Sequence, residues 1–78
     1  NPCRDQCELS FVLEQEKQVS ISMFDAQGKL IQQIQQAGNL AMGVYRFHLE
    51  TTALPSGIYS IQVDMNGEKQ LLKMVKNE

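Results

Sequence analysis

Residues 54–76, LPSGIYSIQVDMNGEKQLLKMVK, decide the fold. Asn66-Gly67 is the strongest hairpin signal in the stretch, because a type I′ turn needs two residues that tolerate positive φ. With those two as the loop, Met65 faces Glu68, and pairing continues as Val63–Gln70, Ile61–Leu72 and Tyr59–Met74. Side chains alternate across a strand, so these pairs share one largely apolar face. The opposite face pairs Asp64 with Lys69, Gln62 with Leu71, Ser60 with Lys73 and Ile58 with Val75. It is half charged and half apolar. The predicted hairpin has one core side and one side able to meet a partner. Pro55 and Gly57 separate it from what precedes, since proline lacks a backbone donor and glycine tolerates turns.

Outward from the hairpin, Gly43–Glu50 alternates Tyr45, Phe47 and Leu49 against Val44, Arg46 and His48, and residues 51–56 form the loop into the hairpin. Residues 18–25 also alternate, with Val19, Ile21 and Met23 inward, and end in Asp25-Ala26-Gln27-Gly28. That spacing suits a type I turn closed by a left-handed glycine. Residues 29–36 are the predicted return strand, although Leu30, Ile31 and Ile34 alternate poorly and helical propensity competes. The glycine turn before and Ala37-Gly38-Asn39 after it favour a short strand. Residues 7–13 place Leu9, Phe11 and Leu13 on one side of a further strand. The expected fold is all-β: an immunoglobulin-like antiparallel β-sandwich of six or seven short strands. Its expected core is Leu9, Phe11, Val19, Ile21, Tyr45, Phe47, Tyr59, Ile61, Val63, Leu72 and Met74.

The 78 residues suit a single domain spanning 1–78. A chain of this size buries only roughly 60% of its unfolded surface, so its stability is expected to be on the order of 5 kcal/mol. The net charge of −2 argues against nucleic acid as a partner. No apolar run approaches the ~18 residues of a membrane-spanning helix. The chain opens on Asn-Pro without a charged and then apolar leader, and reads as a fragment of a longer protein.

No catalytic constellation emerges. The single histidine, His48, lies on a polar strand face beside Arg46, and no serine has a base with an orienting partner in a local motif. The carboxylates are scattered, with Asp64 expected to pair with Lys69 across the hairpin. No metal-ligand spacing and no phosphate-cradling glycine loop occur, so neither a metal nor another cofactor is expected. Cys3 and Cys7 either form a disulfide closing a small loop, or Cys7 is a small buried residue and Cys3 an incidental one. Lys69, Lys73 and Lys76 are the basic cluster. Lys69 and Lys73 share one face, interleaved with Leu71 and Val75. The favoured reading is edge protection, because lysines on an edge strand discourage edge-to-edge aggregation, and the alternative is a docking surface.

The order of motifs resembles a known family. Asn1-Pro2, Phe24-Asp25-Ala26-Gln27-Gly28-Lys29, Leu54-Pro55-Ser56-Gly57-Ile58-Tyr59 and the terminal Gly67, Lys69, Lys73, Met74, Val75 and Lys76 resemble the C-terminal sorting domain of the type IX (Por) secretion system over nearly the whole chain. The resemblance implies a small immunoglobulin-like sandwich that ends secreted proteins of Bacteroidota. It implies a non-catalytic export signal that folds in the periplasm and is recognised by the translocon. It further implies an N-terminally fused cargo delivered to the cell surface or extracellular space, and a sortase-like protease that usually removes the domain. The family's Pro-x-Gly-x-Tyr element falls on Pro55, Gly57 and Tyr59. Its glycine-plus-lysine element falls on Gly67, Lys69 and Lys73, and its closing element on Met74, Val75 and Lys76. These residues, with Leu71, are the expected recognition set, in which Tyr59 anchors the core with its hydroxyl at the rim and the lysines stand free. Cys3 and Cys7 depart from the family's usual pattern.

An accessory adhesion or carbohydrate-binding module is the alternative on the same architecture, because fold does not fix function. Such a site usually presents exposed aromatic platforms. Phe11, Phe24, Phe47, Tyr45 and Tyr59 fall nearly all at inward positions, which weighs against it.

Overall fold

The computed structural model describes residues 2–3 and 6–76, with side chains described for residues 7–76. Its strands are β1 (Pro2–Cys3), β2 (Gln6–Leu13), β3 (Lys17–Phe24), β4 (Leu30–Leu40), β5 (Gly43–Glu50), β6 (Gly57–Met65) and β7 (Glu68–Lys76). No helix occurs among the described residues. One sheet has five strands in the order β1-β7-β6-β3-β4, and the second pairs β2 with β5. All pairings are antiparallel except the short β1–β7 contact, which is parallel. The molecule is a small all-β sandwich.

The β6–β7 register is the one that the turn residues predict, from Met65↔Glu68 through Tyr59↔Met74 to Gly57↔Lys76. Asn66 and Gly67 take φ values of 53° and 87°, the left-handed conformation that a two-residue hairpin loop requires. The turn is also pinned to β3. Asn66 N–H donates to the Gln18 carbonyl at 2.8 Å, and Gln18 N–H donates to Asn66 Oδ1 at 2.8 Å. At the β3–β4 turn, Gly28 has φ 84° and Asp25 Oδ1 accepts from the N–H groups of Gln27 and Lys29, both at 2.9 Å. The expected three-residue loop is present.

The inner faces of both sheets meet in a core of Leu13, Val19, Ile21, Met23, Leu49, Tyr59, Ile61, Val63 and Met74. Each such aliphatic side chain contributes on the order of 1.5–3 kcal/mol when withdrawn from water. Five expected core residues depart from full burial: Leu9, Phe11, Tyr45, Phe47 and Leu72 are half-buried. Four of them lie on β2 and β5, which pair only with each other, so each has an open flank, and Leu72 lies on β7 at the margin of the larger sheet. Leu13 and Leu49, outside the expected core set, are fully buried at the two ends of that smaller sheet.

β4 departs furthest from expectation. It continues through Ala37-Gly38-Asn39 to Leu40 instead of ending near residue 36. Its pairing with β3 is irregular at three places, between Val19 and Ile21, Ile21 and Ser22, and Met23 and Phe24. Each inserts one extra residue into β4, and each extra residue exchanges the two faces. Gln33 Nε2 donates to the Ile21 carbonyl at 3.1 Å, satisfying backbone at one of these places.

Candidate functional site

The motif pieces that lie far apart in the chain are neighbours in the structure. Gly57 is the register partner of Lys76, and Tyr59 of Met74. Both strand ends hold the loop that precedes β6. The Tyr59 hydroxyl donates to the Pro55 carbonyl at 2.6 Å. Lys76 Nζ donates to the Leu54 carbonyl at 2.9 Å and also to the Thr51 carbonyl, while Leu54 N–H closes a turn onto Thr51 at 3.0 Å. A buried cation needs such partners, because transfer from water without them is costly.

Lys76 therefore corrects the expectation that all three lysines stand free. It is only 5% exposed, whereas Lys69 and Lys73 are exposed. Strand parity explains the split. Residues 72, 74 and 76 share the inward face of β7, and residues 69, 71, 73 and 75 share the outward one. Met74 and Tyr59 are likewise buried, so within the expected recognition set they serve packing. Pro55, Gly57 and Gly67 are exposed, and Val75 is half-buried.

The outward face collects what remains. Leu71 is 67% exposed between Lys69 and Lys73, and Ile58, the register partner of Val75, is 48% exposed. A shallow open depression beside them is lined by Phe24, Ile58, Ser60, Gln62 and Leu71. Asp64 is in register with Lys69, but its Oδ1 accepts from Gly67 N–H at 2.9 Å and braces the turn instead. The face is thus cationic at Lys69 and Lys73 and apolar between and beside them.

Little else invites chemistry. His48 is exposed opposite Glu8 on the outer side of the small sheet. Among the described residues no group of three or more His, Cys, Asp or Glu side chains could hold a metal ion, and no helix is long and apolar enough to cross a membrane. Phe11, Tyr45 and Phe47 stack on one another with centroids 5.7–6.4 Å apart, on the inward side of β2 and β5. They do not form an outward platform. The side chain of Cys3 lies outside the described residues, and with it the expected Cys3–Cys7 pair. Cys7 is half-buried with its sulfur 3.6 Å from Met74 Sδ. Sequence reasoning missed Thr51, which is fully buried. The missing signal was tertiary, because its carbonyl meets a lysine 25 residues away.

The family model for the secretion system C-terminal sorting domain matches residues 1–77. No curated protein and no solved structure matches the chain. The matched family is that of type IX secretion, whose sorting signals imply an N-terminal cargo and export to the cell surface or extracellular space in Bacteroidota. Such a domain is a signal module and not a catalytic one. With its motif residues gathered at the β6–β7 hairpin and nearly its whole length matched, the chain belongs to the type IX secretion C-terminal sorting domain family.

Proposed function

We propose that the outward face of the β6–β7 hairpin is the surface that the type IX translocon reads. The supporting observation is the split of β7 by parity. Leu72, Met74 and Lys76 are withdrawn into the sandwich, while Lys69, Leu71 and Lys73 remain exposed in a row. In this reading the domain folds in the periplasm, docks through that row, and carries its N-terminally fused cargo across the outer membrane. A sortase-like protease then removes it at the surface. Pro55, Gly57, Tyr59, Gly67, Met74 and Lys76 act indirectly, by fixing the hairpin and the loop before it. Val75 borders the docking row.

The test replaces Lys69 and Lys73 together by Gln in a reporter fusion and compares surface with periplasmic signal in a type IX-competent host. A folded variant retained in the periplasm supports the reading. Normal surface delivery contradicts it.

A further inference from the structure

We propose that the free edge of β7 accepts an added β-strand from the secretion machinery, one whose outward side chains alternate acidic and apolar. This rests on the docking reading above and specifies how docking occurs.

The edge follows from the register. A two-residue hairpin loop makes Met65 and Glu68 a hydrogen-bonded pair, and hydrogen-bonded and non-hydrogen-bonded pairs then alternate along the ladder. Glu68, Gln70, Leu72, Met74 and Lys76 therefore turn their backbone groups toward β6. Lys69, Leu71, Lys73 and Val75 turn theirs the other way. On that side β1 pairs only at Val75 and Lys76, and no other described strand lies alongside. The backbone donors and acceptors of Lys69, Leu71 and Lys73 thus face a side that no described strand covers, and their side chains stand on the exposed face of the sheet. Backbone and side-chain recognition elements coincide at the same three residues.

The two long edges of the five-stranded sheet are built differently. β4 is interrupted at three places, which twists an edge away from further pairing. β7 keeps an unbroken register over nine residues. One edge is protected by its backbone, and the other carries only lysines, which repel a second copy of the same strand. β1 shows that this edge accepts a parallel strand within the molecule itself. Strand addition draws affinity from main-chain hydrogen bonds and specificity from alternate side chains. Lys69 and Lys73 flanking Leu71 select an incoming acidic–apolar–acidic pattern, because opposite charges side by side on adjacent strands attract and like charges repel.

The experiment compares Leu71→Ala with Leu71→Pro in this chain, fused behind a secreted reporter through a Gly/Ser linker in a type IX-competent host. Alanine removes the side chain and keeps the N–H. Proline also removes the N–H, at an edge position where no β6 hydrogen bond depends on it. Strand addition predicts surface delivery lower for the proline variant than for the alanine variant by a factor on the order of ten, as expected for loss of a docking hydrogen bond. Equal delivery by the two folded variants overturns strand addition. The docking reading fails separately, through normal export of the double Lys→Gln variant. If Leu71→Pro does not fold, Lys73→Pro against Lys73→Ala repeats the comparison. In either case the unaltered chain is titrated with the peptide Glu-Thr-Val-Thr-Glu, which places Glu, Val and Glu on one face of a strand, and with Lys-Thr-Val-Thr-Lys while its amide NMR signals are followed. Shifts at Lys69, Leu71 and Lys73 with the acidic peptide alone support the proposal. No shift, or equal shifts with both peptides, overturns it. Sedimentation showing that the unaltered chain dimerises, and that Leu71→Ala still does while Leu71→Pro does not, would make a second copy the occupant and also overturn it.

Discussion

Lys76 reaches from the last strand to the Leu54 carbonyl, 2.9 Å from its ammonium group, and ties the end of β7 to the loop that precedes β6. The same nitrogen donates to Thr51. Replacing Lys76 by Met keeps most of the aliphatic stem and removes both hydrogen bonds. Hydrogen bonds from charged groups contribute about 1.5–3 kcal/mol each, so loss of the two should remove on the order of 3–6 kcal/mol of unfolding free energy. Urea denaturation measures this. Stability within 0.5 kcal/mol of the parent, roughly the range of neutral surface substitutions, would show the clamp to be unimportant.

Tyr59 closes the same loop from the neighbouring strand. Tyr59→Phe removes only the hydroxyl that donates to Pro55 at 2.6 Å, and the ring stays in the core. The expected loss is about 1 kcal/mol, typical of one hydrogen bond. For a domain of this size that lowers Tm by roughly 4–8 °C, readable by circular dichroism. An unchanged Tm would mean that packing alone positions the loop.

Gly67 occupies the left-handed region at φ 87°, and an added Cβ would meet no atom within 4 Å. Gly67→Ala is therefore strained by backbone conformation and not by a clash. The expected loss is about 1–2 kcal/mol. Denaturant unfolding with an unchanged m-value is the expected result, and a gain in stability would contradict the turn assignment.

Asn66 has a separate role, since its side chain and backbone both bond Gln18 on β3. Asn66→Asp keeps an acceptor for Gln18 N–H, and Asn66→Ala does not. The alanine variant should be less stable than the aspartate variant by about 1 kcal/mol in paired denaturation curves. Equal stability would show that the hairpin turn needs no tether to β3.

The hairpin could be read from the sequence because a two-residue Asn-Gly loop sets the register of every later pair, and alternation then assigns each side chain to a face. Local chemistry sufficed there. β4 could not be read in the same way. Its three inserted residues exchange faces repeatedly, so Leu30, Ile31 and Ile34 show no period, although the strand runs eleven residues. Burial of Lys76 was half legible, since the hairpin register already placed residue 76 on the face of Met74. Its partners at Thr51 and Leu54 were not, because they depend on how the loop folds over the end of the sheet. The half-burial of Phe11, Tyr45 and Phe47 reflects sheet width, a property of strand order that alternation does not encode.

The exposed row of β7 carries the functional account, and it separates from stability cleanly. Lys69 and Lys73 are exposed, so replacing both by Gln should alter stability by at most about 0.5 kcal/mol per site. Leu72→Ala and Met74→Ala in the inward row remove apolar contacts, at roughly 2–5 kcal/mol for a fully buried side chain. Loss of export in those variants would report folding alone. The direct measurement is the ratio of surface to periplasmic reporter for the double Lys69→Gln, Lys73→Gln variant, with Tm of the same domain recorded alongside. The account predicts an unchanged Tm and a reporter held in the periplasm. An unchanged Tm with the reporter delivered to the surface as in the parent would contradict it.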